Sequence, residues 1–519
     1  MINVNDIKDS KTKNSSRNLV FGIILKIYQL LLPFVIRTII IKVLGMEYAG
    51  LNSLFASLMQ TLNIAELGVG TALVFSMYKP IAEGNKERIC ALMKLYKIYY
   101  RVIGLVILVI GVSLTPFLPW LVKQDVPEDI NLYILYFLNL GATVLSYWLF
   151  AYKNSLFLAH QRNDVASKVT LITNTIQYGL QIVLLFLFKN YYFYVIILLF
   201  TQVISNISIA FLADKYFPEY KAIGSLPKEE RKKINGSIRD LFYGQLGLVV
   251  TVSVDSIVIS AFLGLVPLGI YQNYYYIISA LIGFFQIFYQ SCRASIGTNI
   301  LTKSTDENFK DFKFITFVIV GALGFCVSCL YNMFQPFIEI WVGKKNLLDI
   351  YCVALFCAYF FTYELSWLIG AYKDVSGKWH ADRFRPLITA VVNLITNIIL
   401  VNIIGIYGIL ISTIVAYWII NIPWLYRRVF IDVFEKEKSI KYFVFLCKKL
   451  IVFFIIVVAC GLICSRIKLT NNYLLLIVNF GICLFVSVFV YLLCNFKTEE
   501  MSRAKIIMAN FLGKLKRRK

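Results

Sequence analysis

The chain has 519 residues, 59% of them hydrophobic and only 16% charged, far more apolar sequence than a soluble core of this size requires, so a soluble protein is excluded. Its 52 Lys and Arg against 29 Asp and Glu give a formal net charge of +23. In a chain this apolar, such an excess bears on membrane orientation and not on nucleic acid.

A bilayer span takes about 20 apolar residues. Apolar windows and their polar punctuation predict helices over 17–43, 49–78, 90–121, 131–157, 165–188 and 191–213. A basic linker from Lys215 to Arg239 follows, then helices over 240–263, 267–297, 312–342, 350–373, 384–403 and 406–430, and a last pair over 441–465 and 472–495. The polar stretch from Met1 to Ser16 runs into the first apolar segment without a small-residue cleavage site, so the first helix is expected to be an uncleaved span. The expected fold is an all-α integral membrane protein of about fourteen transmembrane helices. Its expected organisation is an N-terminal lobe over 1–214, the linker 215–239, a C-terminal lobe over 240–430, and two further helices with a basic tail over 431–519. Counted on alternate sides of this arrangement, Lys and Arg divide 42 to 7, which predicts both termini in the cytoplasm. Lys26, Arg37 and Arg293, lying inside predicted spans, are the three cations assigned to neither side.

Internal repetition appears twice. Leu44-Gly45 with Gly50-Leu51 returns 219 residues later as Leu263-Gly264 with Gly269-Ile270. Thr170, Thr173, Gln177 and Gln181 in the fifth helix return, offset by 216, as Pro386, Thr389, Asn393 and Asn397 in the eleventh. Steps of three and four put each set on one helix face, and two six-helix lobes in parallel repeat is the economical reading. Gln177, Gln181, Asn393 and Asn397 are then candidate polar stripes facing a lumen.

The first helix lines Asn18, Gly22, Lys26, Gln29, Pro33 and Arg37 along one face. A charge at mid-bilayer costs on the order of 3 kcal/mol or more, so this face is expected to meet a wet cavity or a partner. Pro33 removes a backbone hydrogen bond and is a candidate hinge. Two other readings stay open: Lys26 and Arg37 snorkelling to opposite interfaces, and each buried charge pairing with a neighbour between packed helices. The second helix carries Asn52, Asn63, Glu66 and Gly70, and the eighth carries Ser279, Gly283, Gln286, Gln290, Arg293 and Gly297, again each on one face. Asp255, Glu364 and Lys153 add ionisable groups on the seventh, tenth and fourth helices. The slight cationic balance of these groups suits an anionic headgroup.

The chain holds eleven Cys, and Cys326, Cys329, Cys352, Cys357, Cys460, Cys464, Cys483 and Cys494 fall in or beside apolar runs, where thiols pack as small hydrophobes. Cys326 and Cys329 form a C-x-x-C with no second Cys/His pair, so neither a metal site nor a disulfide framework is expected. His160 and His380, the two histidines, sit in polar linkers. A multispan polymerase or acyltransferase would need an intramembrane His or a sizeable external loop, and the longest external connection runs only from about Leu121 to Asn131. The chain is therefore not expected to be an enzyme.

Leu44-Gly45 through Ala49-Gly50-Leu51, then Glu66-Leu67-Gly68-Val69-Gly70-Thr71-Ala72, then Asn85-Lys86, resembles the start of Wzx-type oligosaccharide flippases of the multidrug/oligosaccharidyl-lipid/polysaccharide (MOP) export superfamily. Pro386, Asn393, Gly405, Gly408 and Thr413 extend the likeness, which runs from about residue 15 to 430. The resemblance implies translocation of a polyprenyl-diphosphate-linked oligosaccharide across the bacterial plasma membrane by alternating access, for assembly of a surface polysaccharide. It makes that glycan and membrane lipid the partners, with a polymerase and glycosyltransferases as candidates beside them. On this reading Lys26, Arg37, Lys153 and Arg293, with Gln29, Asn52, Gln286 and Gln290, are the substrate-binding candidates, since Arg and Lys pair with diphosphate. Glu66, Asp255 and Glu364 are candidates for a coupling proton or Na⁺, and Gly68 and Gly70 join Pro33 as hinges; no cofactor is expected. A multidrug exporter and a lipid II flippase of the same superfamily are the alternatives.

Overall fold

The computed structural model describes residues 4–123, 126–376 and 382–516; His380 lies outside them. The described residues form helices and connections. They are α1 (Val4–Val43), α2 (Met46–Leu62), α3 (Val69–Ala82), α4 (Lys86–Leu114), α5 (Leu132–Trp148), α6 (Asn154–Ala159), α7 (Asn163–Phe188), α8 (Tyr191–Tyr216), α9 (Lys228–Phe262), α10 (Leu265–Thr302), α11 (Thr305–Val342), α12 (Ile350–Val375), α13 (Arg385–Ile404), α14 (Ile406–Ala416), α15 (Ile422–Asp432), α16 (Lys436–Cys464), α17 (Asn472–Asn495) and α18 (Glu499–Lys516).

Among the described residues, eleven helices are long and apolar enough to cross a bilayer. Two bent pairs raise the number to thirteen: Met46–Glu66 with Val69–Ala82, bent by 42°, and Leu132–Trp148 with Ala151–Ala159, bent by 48°. The remaining expected span, 240–263, falls within α9, whose apolar stretch in that set is Ser253–Phe262. All-helical membrane architecture is thus what the apolar periodicity predicts. The ends are set locally. The Asn131, Asn190, Asp349 and Asn471 side chains accept backbone N–H bonds at the starts of α5, α8, α12 and α17, and Ser304 and Glu307 form a reciprocal capping box at α11.

Contacts divide the chain into two units, residues 1–272 with 397–405, and 273–396 with 406–519. In the first, α1 lies along α7, α7 along α8, α4 along α5, and α2 and α3 along α9. The 219-residue repeat acquires a spatial meaning here. A Cβ on Gly50 would stand 2.0 Å from the Leu265 carbonyl oxygen, and one on Gly269 would stand 2.7 Å from the Met46 carbonyl oxygen. Met46 and Gly50 are the 219-offset equivalents of Leu265 and Gly269, so the two motifs press backbone to backbone in a reciprocal contact that only glycine permits. The same offset relates two bonds beside it: Arg37 donates to Ser53 Oγ at 3.1 Å, and Gln272 donates to Ser256 Oγ at 2.7 Å.

In the second unit, α11 packs on α12, α16 and α17. Gly321 faces the Tyr491 ring, where a Cβ would lie at 2.9 Å. Phe312, Tyr372, Phe434 and Tyr442 form an aromatic cluster with centroids 4.5 to 5.3 Å apart, Phe312 stacking on Phe434 and Tyr442. Cys460, Cys464 and Cys483 are buried among apolar side chains between α16 and α17, packing as expected of thiols in an apolar setting.

Candidate functional site

The first unit contains a half-open cavity of about 560 Å³, lined in part by Glu66, Gly70, Tyr96, Tyr100, Asn154 and Asn206. Both bent spans contribute to it. The first break follows from Gly68, whose φ of +84° ends one helix and starts α3. The second lies at Leu149 and Phe150, the latter at φ 60°. Breaking a span exposes backbone N–H groups that an unbroken helix would consume, and such termini build polar sites within membranes.

Glu66 uses this opening. Its carboxylate accepts the Tyr100 hydroxyl at 3.0 Å and the Gly70 backbone N–H at the head of α3. The Tyr96 and Tyr100 hydroxyls are 3.1 Å apart, and Tyr147 donates to Asn63 Oδ1 at 3.1 Å. A Cβ on Gly70 would lie 2.9 Å from both Glu66 Oε1 and the Tyr96 hydroxyl, so glycine is what leaves room for the carboxylate. The arrangement offers one acid, several phenol hydroxyls and two amides around a space large enough for water or a small polar group. Sequence reasoning found Glu66, Gly68 and Gly70 but missed Tyr96, Tyr100, Tyr147 and Asn206. The four-residue step from Tyr96 to Tyr100 in α4 was the available signal.

The other predicted residues take separate places. Lys26 and Gln29 are exposed on α1, which runs unbroken through Pro33. Arg37 is buried and donates to Ser53 and, at 2.8 Å, to the Gly269 carbonyl. Asn52 accepts the Tyr191 hydroxyl at 2.9 Å. Lys153 pairs with Asp214 at 2.5 Å. Gln177 accepts from Thr201 at 3.0 Å, and Gln181 donates to the Tyr194 carbonyl at 2.9 Å, so this polar stripe joins α7 to α8. Asn397 donates to buried Asp255 at 2.7 Å. In the second unit, Asn393 donates to Thr413 at 2.8 Å, Gln286 is half-buried, and Gln290 and Arg293 are exposed on α10. None of the four predicted cations lines the cavity beside Glu66.

Glu364 in α12 is 1% exposed; the neighbouring Tyr289 hydroxyl donates to its backbone carbonyl at 3.4 Å, and neither carboxylate oxygen has a partner at hydrogen-bonding geometry among the described residues. At the far end of α12, buried Lys373 pairs with Asp382, which also accepts from Arg385 at 2.9 Å; Arg385 reaches the Asn421 side chain in the π-helical turn before α15. Burial pushes the Asp382 carboxyl up, but the bond from Arg385 and the charges of Arg385 and Lys373 outweigh it and hold the group below the ordinary aspartate value.

A family model described as "Polysaccharide biosynthesis protein" matches residues 15–292. The chain belongs to that family. No curated protein matches the sequence. Among solved structures, the lipid II flippase MurJ in an inward closed conformation is 16% identical with a TM-score of 0.62, over 92% of this chain and 98% of the flippase. An inward-facing multidrug resistance MATE family transporter of the MOP superfamily is 14% identical with a TM-score of 0.58, over 76% and 93%. A MATE transporter of Vibrio cholerae is 11% identical with a TM-score of 0.52, over 81% and 98%. The family match and the fold agree on an all-helical, multi-pass membrane protein, and that fold is the one the lipid II flippase and the MATE transporters share.

Proposed function

We propose that the protein translocates a polyprenyl-diphosphate-linked oligosaccharide from the cytoplasmic to the outer leaflet of a bacterial plasma membrane by alternating access, supplying surface polysaccharide assembly. The observation that carries this reading is the polysaccharide biosynthesis family match from α1 into α10. A sugar diphosphate is too polar to cross hydrocarbon unaided; a protein that moves it needs polar surface inside the membrane while the lipid tail stays in the bilayer. Lys26 and Arg293 are exposed on intramembrane segments and have no ion pair among the described residues, which leaves them available to phosphate oxygens. Arg37 and Lys153 already hold protein partners, so their part is to fix helices around the path. Glu66 and Glu364 are the carboxylates we assign to coupling by proton or Na⁺, with Asp255, held by Asn397, as the third candidate. The excess of Lys and Arg on one set of connections supports cytoplasmic termini.

The test is replacement of Lys26 and Arg293 by Ala in the native host, with surface glycan as the readout. Loss of glycan at unchanged protein level is the expected result, and wild-type glycan removes both residues from diphosphate binding. One observation favours a second reading, export of small organic cations: among the residues lining the cavity in the first unit, Glu66 is the acid and no Lys or Arg accompanies it. A deletion strain separates the two, since a flippase loss removes glycan and an exporter loss removes drug tolerance.

A further inference from the structure

α18 leaves the protein part-way along its length. Its first turns are fastened to the second unit: Met501 is 5% exposed, Glu500 lies 3.5 Å from Lys313 and 3.8 Å from Lys449, and Arg503 lies 2.5 Å from Asp311 with its guanidinium 4.7 Å from the Phe314 ring. From Lys505 to Asn510 every side chain is exposed, including Ile506 at 62%, Ile507 at 49% and Met508 at 66%. In the sequence, Met501, Ala504, Met508, Phe511, Leu512 and Leu515 recur at the three- and four-residue steps of a single helix face. That face begins packed on protein at Met501 and has lost its protein cover by Met508.

What covers it is indicated by position and charge. α18 starts four residues after Asn495, where α17, one of the membrane-length apolar helices, ends, so the helix emerges at the boundary between hydrocarbon and water. Between Lys497 and Lys519 the chain has eight Lys and Arg against two Glu, and Glu500 is already engaged by Lys313 and Lys449. Lys505 lies in this exposed stretch, Lys514 and Lys516 follow it in the sequence, and Arg503 is held by Asp311. Lys505 keeps its ammonium 4.3 Å above the Phe496 ring, which is itself 64% exposed. An exposed apolar face in a cation-rich segment at a bilayer boundary is the pattern that lies in an interface and is drawn to anionic headgroups.

We propose that the distal part of α18 is a docking helix for anionic phospholipid, inserting Ile507 and Met508 into the headgroup boundary beside α11, α16 and α17, with Lys505 and the cations that follow it in the sequence drawn to lipid phosphates. Its fixed first turns make the docked helix an extension of the second unit. This assignment is independent of which substrate is transported.

Hydrogen exchange of the full-length protein in lipid nanodiscs tests it, comparing phosphatidylcholine alone with phosphatidylcholine containing phosphatidylglycerol. Amides after Lys505 are expected to exchange roughly tenfold more slowly in the anionic discs, while those around Met501 stay protected in both. The effect should vanish in a variant with Lys514, Lys516, Arg517 and Arg518 changed to Gln, and also in an Ile507→Asp, Met508→Asp variant. The first variant leaves the apolar face intact, so a folding defect in the second does not remove the test. Equal exchange in the two disc types overturns the proposal, as does slow exchange in phosphatidylcholine that the Gln changes leave untouched, which would transfer the face to a protein partner.

Discussion

Glu66 in the first unit and Glu364 in the second face the same problem, a carboxylate within membrane-length helices, on two different backbones. Glu66 sits at a break: the turn at Gly68 frees the Gly70 N–H, Tyr100 donates a hydroxyl, and a cavity of about 560 Å³ opens beside the group. Glu364 sits in the unbroken α12, whose backbone donors are spent within the helix, and its two oxygens find no partner among the described residues. A break in a span is thus what provides donors for a buried acid. Where the helix is continuous the acid is left to its packing, and an unmade hydrogen bond there costs about 1–3 kcal/mol.

The contrast depends on α12 being held rigid, and the clamp at its end is where it is most easily broken. Asp382→Ala leaves Lys373 and Arg385 without their shared acceptor, and stability should fall by up to about 3–5 kcal/mol, tempered by Asp374, which remains 3.1 Å from Lys373. Thermal unfolding in detergent measures it. The pH dependence has a definite sign. The Asp382 carboxyl is held below its ordinary value by Arg385 and Lys373, so its contribution is complete above about pH 4 and is lost as pH falls through the lowered folded-state value. The Asp382→Ala protein should therefore lose less stability on acidification than the wild type; equal acid sensitivity of the two would discard the clamp.

Next in size is the cavity itself. Gly70→Val places carbon where Glu66 Oε1 and the Tyr96 hydroxyl stand 2.9 Å from a bare Cβ, which should abolish surface glycan and destabilise by about 1–3 kcal/mol. Gly68→Ala combines strain at φ +84° with a Cβ 2.7 Å from Leu241, for about 1–3 kcal/mol. Surface glycan at wild-type levels in both variants would mean that the broken span takes no part in transport.

The division between what the sequence predicts and what it leaves hidden follows from these same residues. Helix positions were legible because apolar length is dictated by the bilayer and polar punctuation by its edges. The Leu-Gly/Gly-Leu repeat was legible as a pattern, and its cause, a reciprocal backbone contact of Gly50 with Leu265 and of Gly269 with Met46, is a spatial fact. Glu66 was legible because an acid in an apolar run is conspicuous. Its partner Tyr100 was not, since tyrosines abound in this chain and nothing local marks one as a donor across helices. The predicted cation stripe of α1 shows the same limit. Helical spacing put Lys26 and Arg37 on one face, yet Lys26 is exposed while Arg37 is buried with Ser53 and the Gly269 carbonyl as acceptors, because depth along a helix changes what that face meets.

Substituting each acid by Leu sharpens the comparison, because the two effects should have opposite signs. Glu364→Leu removes an unpartnered polar group from packed surroundings and should leave stability unchanged or raise it by about 1–3 kcal/mol. Glu66→Leu strands the Tyr100 hydroxyl and the Gly70 N–H and should lower it by a similar amount. Unfolding midpoints in one detergent decide it, and a loss of equal size in both would mean that Glu364 has a partner as good as Tyr100.

The smallest change separates the hydrogen bond from the cavity. Tyr100→Phe keeps the ring, which packs edge-on against Tyr96 and Tyr147 with centroids at 4.6 and 5.4 Å, and removes only the hydroxyl that Glu66 accepts. A loss of about 1 kcal/mol is expected. In a Glu66→Leu background the same change should cost almost nothing, because the acceptor has already gone. The coupling from the double-mutant cycle would then be about 1 kcal/mol. If Tyr100→Phe were equally damaging in both backgrounds, the hydroxyl would be serving Tyr96 and not the carboxylate. Glu66 would then depend on the Gly70 N–H alone, and the break in the span, without the tyrosine pair, would be sufficient to house the acid.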